Sequence, residues 1–70
     1  MKRMPELTQR QAQVVERVAK GLPDKRIARD LHISTHTVQF HIRQAAERIP
    51  GDAPPRRKLT LFFLNIHDDE

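Results

Sequence analysis

The sequence has no cysteine, only two glycines, and no long apolar run. Without cysteine there can be neither a disulfide framework nor a thiolate metal site, and a reducing intracellular compartment is compatible with the chain. There is no glycine-rich phosphate loop, nucleophile elbow or paired acid/base constellation, so an enzyme is not expected and no catalytic residue is assigned. No segment approaches the roughly 20 apolar residues of a membrane span. Lys2 and Arg3 are not followed by an apolar stretch, so a signal peptide is not expected either. The chain reads as soluble. His32 and His36 are four apart but straddle a turn. With His41 they lack the geometry and carboxylate support of a zinc site, so neither metal nor another cofactor is expected.

What is present fits one small domain. Seventy residues lie near the lower limit at which a core is self-sufficient without disulfides or metal, so a partner is one source of added stability. Thirteen Lys and Arg against nine Asp and Glu give a net +4, and the chain ends on Asp68, Asp69 and Glu70. Residues 1–67 therefore carry +7, more than the total suggests. A polyanionic partner accounts for such a balance, and so does a merely basic solvated surface.

The chain is organised around Pro23 to Ile49. A helical pattern from Asp24 to Leu31, with Ile27, Ala28 and Leu31 on one face, stops at His32-Ile33-Ser34. A second begins at once, with Val38, Ile42, Ala45 and Ile49 at i, i+4, i+7 and i+11. Two apolar stripes separated by three or four residues make a helix-turn-helix, with Ile33 as the plug beneath the bend and Ser34 as the cap of the second helix. Ala28 is the small residue where the crossing backbones come closest. Upstream, Thr8 and Gln11 read as a capping box and Leu7 as half of a hydrophobic staple. Ala12, Val15, Val18 and Ala19, flanked by Val14, form the expected core stripe of the first helix. Lys20-Gly21 supplies a cation for the helix C-terminus and a residue for a left-handed cap. The predicted elements are a flexible arm at 1–6, helices over about 8–20, 24–31, 35–49 and 55–67, and an acidic tail at 68–70. The fold class is all-α, a three- to four-helix bundle containing a helix-turn-helix.

The segment after the proline-rich corner at 50–55 is ambiguous. Leu59, Phe62, Phe63 and Ile66 fall at helical spacing, while Leu59, Leu61 and Phe63 alternate as a strand does. Helix is the favoured reading, because a lone strand would have no sheet to join and would leave an apolar edge open to aggregation. The objection is Arg56-Arg57-Lys58 at its start, since cations there oppose the helix dipole unless an anionic group offsets them.

Residues 7–49 resemble the LuxR-type (GerE-like) helix-turn-helix domain of bacterial transcription regulators. The residues that carry the likeness are Leu7-Thr8-Gln9-Arg10, Gly21-Leu22, Ile27-Ala28, Leu31, Ile33-Ser34, Thr37-Val38 and His41. There are departures: Gln11, Gln13 and Arg26 stand where the family often has glutamate, and Gln39 where it usually has lysine. A longer, proline-rich corner replaces the family's Lys-Leu-Gly-Val. The resemblance implies sequence-specific binding of double-stranded DNA, transcription regulation, a homodimer through the C-terminal helix, and a cytoplasmic, nucleoid-associated place in a bacterium. No receiver or ligand-sensing segment is expected before the motif, which sets this chain apart from the signal-gated behaviour usual in the family.

With Val38, Ile42, Ala45 and Ile49 turned inward, the outward arc of the helix at 35–49 holds His36, Gln39, Phe40, Arg43 and Glu47. A phenylalanine on the solvent side of a polar helix gains nothing in stability, but in a major groove it can lie against thymine methyls. Gln39 suits adenine, and Arg43 suits guanine or a phosphate. Expected base contacts are therefore Gln39, Phe40, Arg43 and His36. The competing reading packs Phe40 under the first or fourth helix as core. Expected phosphate contacts are Thr8, Arg10, Lys25, Ser34, Thr35 and Thr37, near helix N-termini. For Thr8 and Ser34 capping comes first. His41 is expected to be structural, packed beside Ala45.

Leu61 and Leu64 lie three apart on an arc away from the core and are the expected dimer interface, unless they pack on the proline corner of a monomer. Two other functions compete with DNA reading. One is a protein-interaction module on the same scaffold, binding RNA polymerase or another regulator. The other is a promoter-reading domain of the sigma-factor kind.

Overall fold

The computed structural model describes residues 7–67, with side chains described through Asn65. The expected arm at 1–6, the acidic tail at 68–70 and the side chain of Ile66 lie outside the described residues. Four helices and no strand are formed within that range: α1 (Gln9–Ala19), α2 (Asp24–Leu31), α3 (Thr35–Arg48) and α4 (Pro55–His67). The fold is all-α, and the ambiguous last segment is a helix. None of these helices is long and apolar enough to cross a membrane.

The helix ends follow from local chemistry. At the start of α1 the Gln11 amide donates to Thr8 Oγ1 at 3.0 Å and the Thr8 amide donates to Gln11 Oε1 at 3.0 Å, so two otherwise free N–H groups are satisfied reciprocally. Its end is a Schellman turn, in which Gly21 at φ +83° lets the Leu22 amide reach Arg17 O at 3.2 Å and its own amide reach Val18 O at 2.9 Å. The same turn closes α2, but there the left-handed residue is His32, at φ 58°. Its amide donates to Arg29 O at 3.3 Å, and that of Ile33 to Ala28 O at 2.9 Å, which drops Ile33 onto the core beneath the bend. Ser34 then caps α3 by accepting from the Thr37 amide at 3.0 Å.

The core draws Val14, Val15 and Val18 from α1, Ile27, Ala28 and Leu31 from α2, Val38, Ile42, Ala45, Ala46 and Ile49 from α3 and its cap, and Leu59 from α4. Leu7, Leu22, Ile33, Phe62 and Phe63 pack against it, half-buried. In α1 the buried face differs from expectation: it runs Gln11, Val14, Val15, Val18, with Ala12 and Ala19 on its margin and Val14 fully enclosed. The cause is tertiary. α1 is clasped by both α3 and α4, which rotates its enclosed arc toward Val14 and covers the capping glutamine as well. α4 likewise covers Ala46 on α3. The helix-turn-helix is thus a corner of α2 and α3, backed by α1 and α4.

Candidate nucleic-acid interface

The turn fixes how α3 is presented. Because Val38, Ile42, Ala45 and Ala46 are buried, the opposite arc of α3 is held to solvent, and His36, Gln39, Phe40, Arg43 and Glu47 are all exposed on it. Phe40 is 48% exposed, so it is not the core residue that the competing reading required. Its ring meets that of His41 edge to face, with centroids 5.9 Å apart. His41 is half-buried, and its Nδ1 is enclosed without a hydrogen-bond partner among the described residues.

The residues expected on phosphates form a looser set. Thr8 and Arg10 are exposed at the start of α1, beside a shallow hollow of about 430 Å³ that they line with Gln9 and Gln13. Arg10 Nη1 donates to Gln13 Oε1 at 3.3 Å. Lys25 is exposed in the first turn of α2, and Ser34 and Thr35 at the start of α3. Thr37 is half-buried, and its hydroxyl lies 2.9 Å from Ser34 Oγ. The hydroxyls of Thr8 and Ser34 already serve as caps, and Thr37 shares in the second cap. Arg10, Lys25 and Thr35 are exposed at the first turns of three different helices.

The second helix of the helix-turn-helix thus presents an exposed, mostly polar arc, with basic and hydroxyl groups at neighbouring helix starts. The model of the luxR family of bacterial regulatory proteins, GerE, matches residues 5–50. The chain belongs to this family. It is also 38% identical over 58 residues to the nitrate/nitrite response regulator protein NarP of Escherichia coli (strain K12), an alignment that covers 83% of this chain. The aligned stretch amounts to 26% of NarP, so the chain spans about a quarter of that relative. No solved structure matches the chain.

In this LuxR-type domain α4 lies beyond the family match, and it holds the residues that sequence reasoning passed over. Arg56 forms an ion pair with Asp24 Oδ1 in the first turn of α2, and its Nη2 donates to Leu22 O at 2.8 Å. Lys58 Nζ donates to Ala46 O at 3.0 Å, near the C-terminus of α3, where a cation suits the helix dipole. The basic start of α4 is therefore offset by Asp24 and by two backbone carbonyls. Asp24 Oδ2 in turn accepts from Gln39 Nε2 at 3.5 Å, which links the exposed arc of α3 to α2 and α4. The only sequence signal for this network was a run of cations at a helix start that needed a partner. Arg43 also borders a hollow of about 280 Å³ between α3 and the proline corner, with Ala46, Glu47, Ala53, Pro55 and Lys58 around it. On the far part of α4, Leu61 and Leu64 are 49% and 48% exposed rather than packed away on that corner.

Proposed function

We propose that this LuxR-type domain binds a specific site on double-stranded DNA by laying α3 in the major groove, and that it regulates transcription on the nucleoid of a bacterial cytoplasm. In this reading Gln39, Phe40, Arg43 and His36 face base edges, while Thr8, Arg10, Lys25, Ser34, Thr35 and Thr37 approach phosphates. The observation that carries it is the half-exposed Phe40 at the centre of a polar arc on the second helix of the motif. Such a ring is misplaced in water but well placed against thymine methyls. Family membership supports DNA regulation over the sigma-factor-like reading, and the response-regulator role in NarP's name points the same way.

The exposed Leu61 and Leu64 favour a protein contact as well. A second copy of this chain is the proposed occupant, since a two-fold pair covers the same patch on both partners. RNA polymerase is the alternative occupant.

Binding to a duplex library, followed across a salt series, tests the whole reading. With Arg10, Lys25 and Arg43 as the cations facing the duplex, about two to three phosphates are neutralised per protomer, and log affinity falls against log salt with a slope of roughly −2 to −3. Arg43→Ala weakens binding more than Lys20→Ala, which alters the opposite end of α1 from Thr8. A flat salt response, or equal losses at the two positions, would show that α3 does not face the nucleic acid.

A further inference from the structure

We infer that Asp24, held by Arg56, is a specificity-determining positioning residue: it fixes which way the Gln39 amide faces the bases. The inference rests on the proposed reading of DNA by Gln39 and adds a residue that never touches the base. The Asp24 carboxylate is divided between two partners. Oδ1 pairs with the Arg56 guanidinium, which is itself anchored on Leu22 O, and Oδ2 faces Gln39 Nε2 at 3.5 Å. The acid's side chain is half-buried, 27% exposed, and its contacts with Arg56 and Gln39 lie at the surface where α2, α3 and α4 meet.

The chemistry is one of donors and acceptors. Adenine offers an acceptor, N7, beside a donor, the N6 amino group, and a glutamine matches it only with its nitrogen toward N7 and its oxygen toward N6. The terminal torsion of glutamine is broad and roughly two-fold, so a free side chain presents both orientations. An ionised carboxylate accepts and never donates, so beside Asp24 only the nitrogen of Gln39 is admitted and Oε1 is repelled. The amide nitrogen carries two hydrogens. One is held by Asp24, while the other, with Oε1, remains free on the edge turned to the groove. Arg56, anchored on Leu22 O, keeps the carboxylate turned toward Gln39, so the start of α4 takes part in the readout without approaching the duplex.

The test compares base preference at the position read by Gln39 in the wild-type chain, Asp24→Asn, Arg56→Gln, Gln39→Ala and the Asp24→Asn/Gln39→Ala double variant. Asparagine has the size of aspartate but can also donate, so it admits either orientation. Wild type is expected to favour adenine there by about tenfold, in line with one good bidentate contact. Asp24→Asn and Arg56→Gln each reduce that ratio to about threefold and leave preference at other positions alone. In the double variant the ratio equals that of Gln39→Ala. A merely structural role would change affinity at every position together, and an unchanged ratio in Asp24→Asn overturns the inference while duplex reading stands. If Gln39→Ala keeps the full preference, the reading of Gln39 itself fails and takes the inference with it. A measurement without DNA guards against misfolding: in the free protein, Asp24→Asn should shift the NMR signals of the Gln39 side-chain amide and spare those of Gln44. No shift means that Asp24 does not hold Gln39.

Discussion

Phe40 and Leu59 are both large apolar side chains in helices, and their surroundings give them opposite work. Leu59 is fully enclosed where α4 meets α1 and α3, so Leu59→Ala removes a filled volume and costs about 2–5 kcal/mol. For a domain of this size total stability is roughly 3.5–10 kcal/mol, so urea melts of this variant will show a large loss or no folded baseline. Phe40, half in water, stabilises little. Phe40→Ala is expected to cost about 1 kcal/mol of stability, well below Leu59→Ala, and to relax base preference at one or two positions by about 1–3 kcal/mol each. Paired melts and duplex titrations check both numbers, and a Phe40→Ala variant that unfolds would place the ring in the core. The contrast was legible in the sequence because helical spacing alone put Phe40 opposite Val38 and Ile42. The place of Val14 was not legible. Its enclosure depends on two helices packing on α1 at once, and one-dimensional spacing records only a single face.

At the scale of elements, the helix boundaries are written locally and the braces between helices are not. Thr8 with Gln11, Ser34 with Thr37 and the Gly21 turn act within a few residues, so residue type and spacing were enough to place them. Arg56 and Asp24 are 32 residues apart, and the cation run around Arg56 calls for an anion without saying which one. The two Schellman turns allow a paired prediction. Gly21 adopts φ +83° with no atom within 4 Å of where a Cβ would stand, so Gly21→Ala meets no clash and loses about 1 kcal/mol through backbone conformation alone. His32 holds the corresponding left-handed position at the helix-turn-helix bend with a full side chain. There the reverse change, His32→Gly, is expected to stabilise the domain by about 0.5–1 kcal/mol, offset in part by the freer unfolded chain. Chemical denaturation of both variants measures the pair. A destabilised His32→Gly would mean that the imidazole makes contacts at the bend worth more than the strain it carries.

At the scale of the molecule, one copy measures 33 Å along its longest axis, about one turn of duplex. A site with two half-sites about 34–36 Å apart therefore calls for two copies, each placing one α3 in a major groove. Leu61 and Leu64 on α4 are the apolar surface proposed for joining them. An additional attraction between the basic start of one α4 and the acidic residues 68–70 of another copy has little to draw on. Arg56 is paired with Asp24, and Lys58 is bonded to Ala46 O, which leaves Arg57 as the exposed cation of the triplet not occupied by these braces. Association should then be apolar in origin and weakly dependent on salt, in contrast to the steep salt dependence expected for DNA binding. Sedimentation at high micromolar concentration, in low and high salt, is expected to show a dimer in both for the wild-type chain. The Leu61→Glu/Leu64→Glu variant should sediment as a monomer in both. That variant should also bind a single half-site as the parent does while losing the advantage of two properly spaced half-sites. If it dimerises like the parent, the joining surface lies elsewhere than on this face of α4. If the wild-type chain stays monomeric, Leu61 and Leu64 are left for a different protein, RNA polymerase among them.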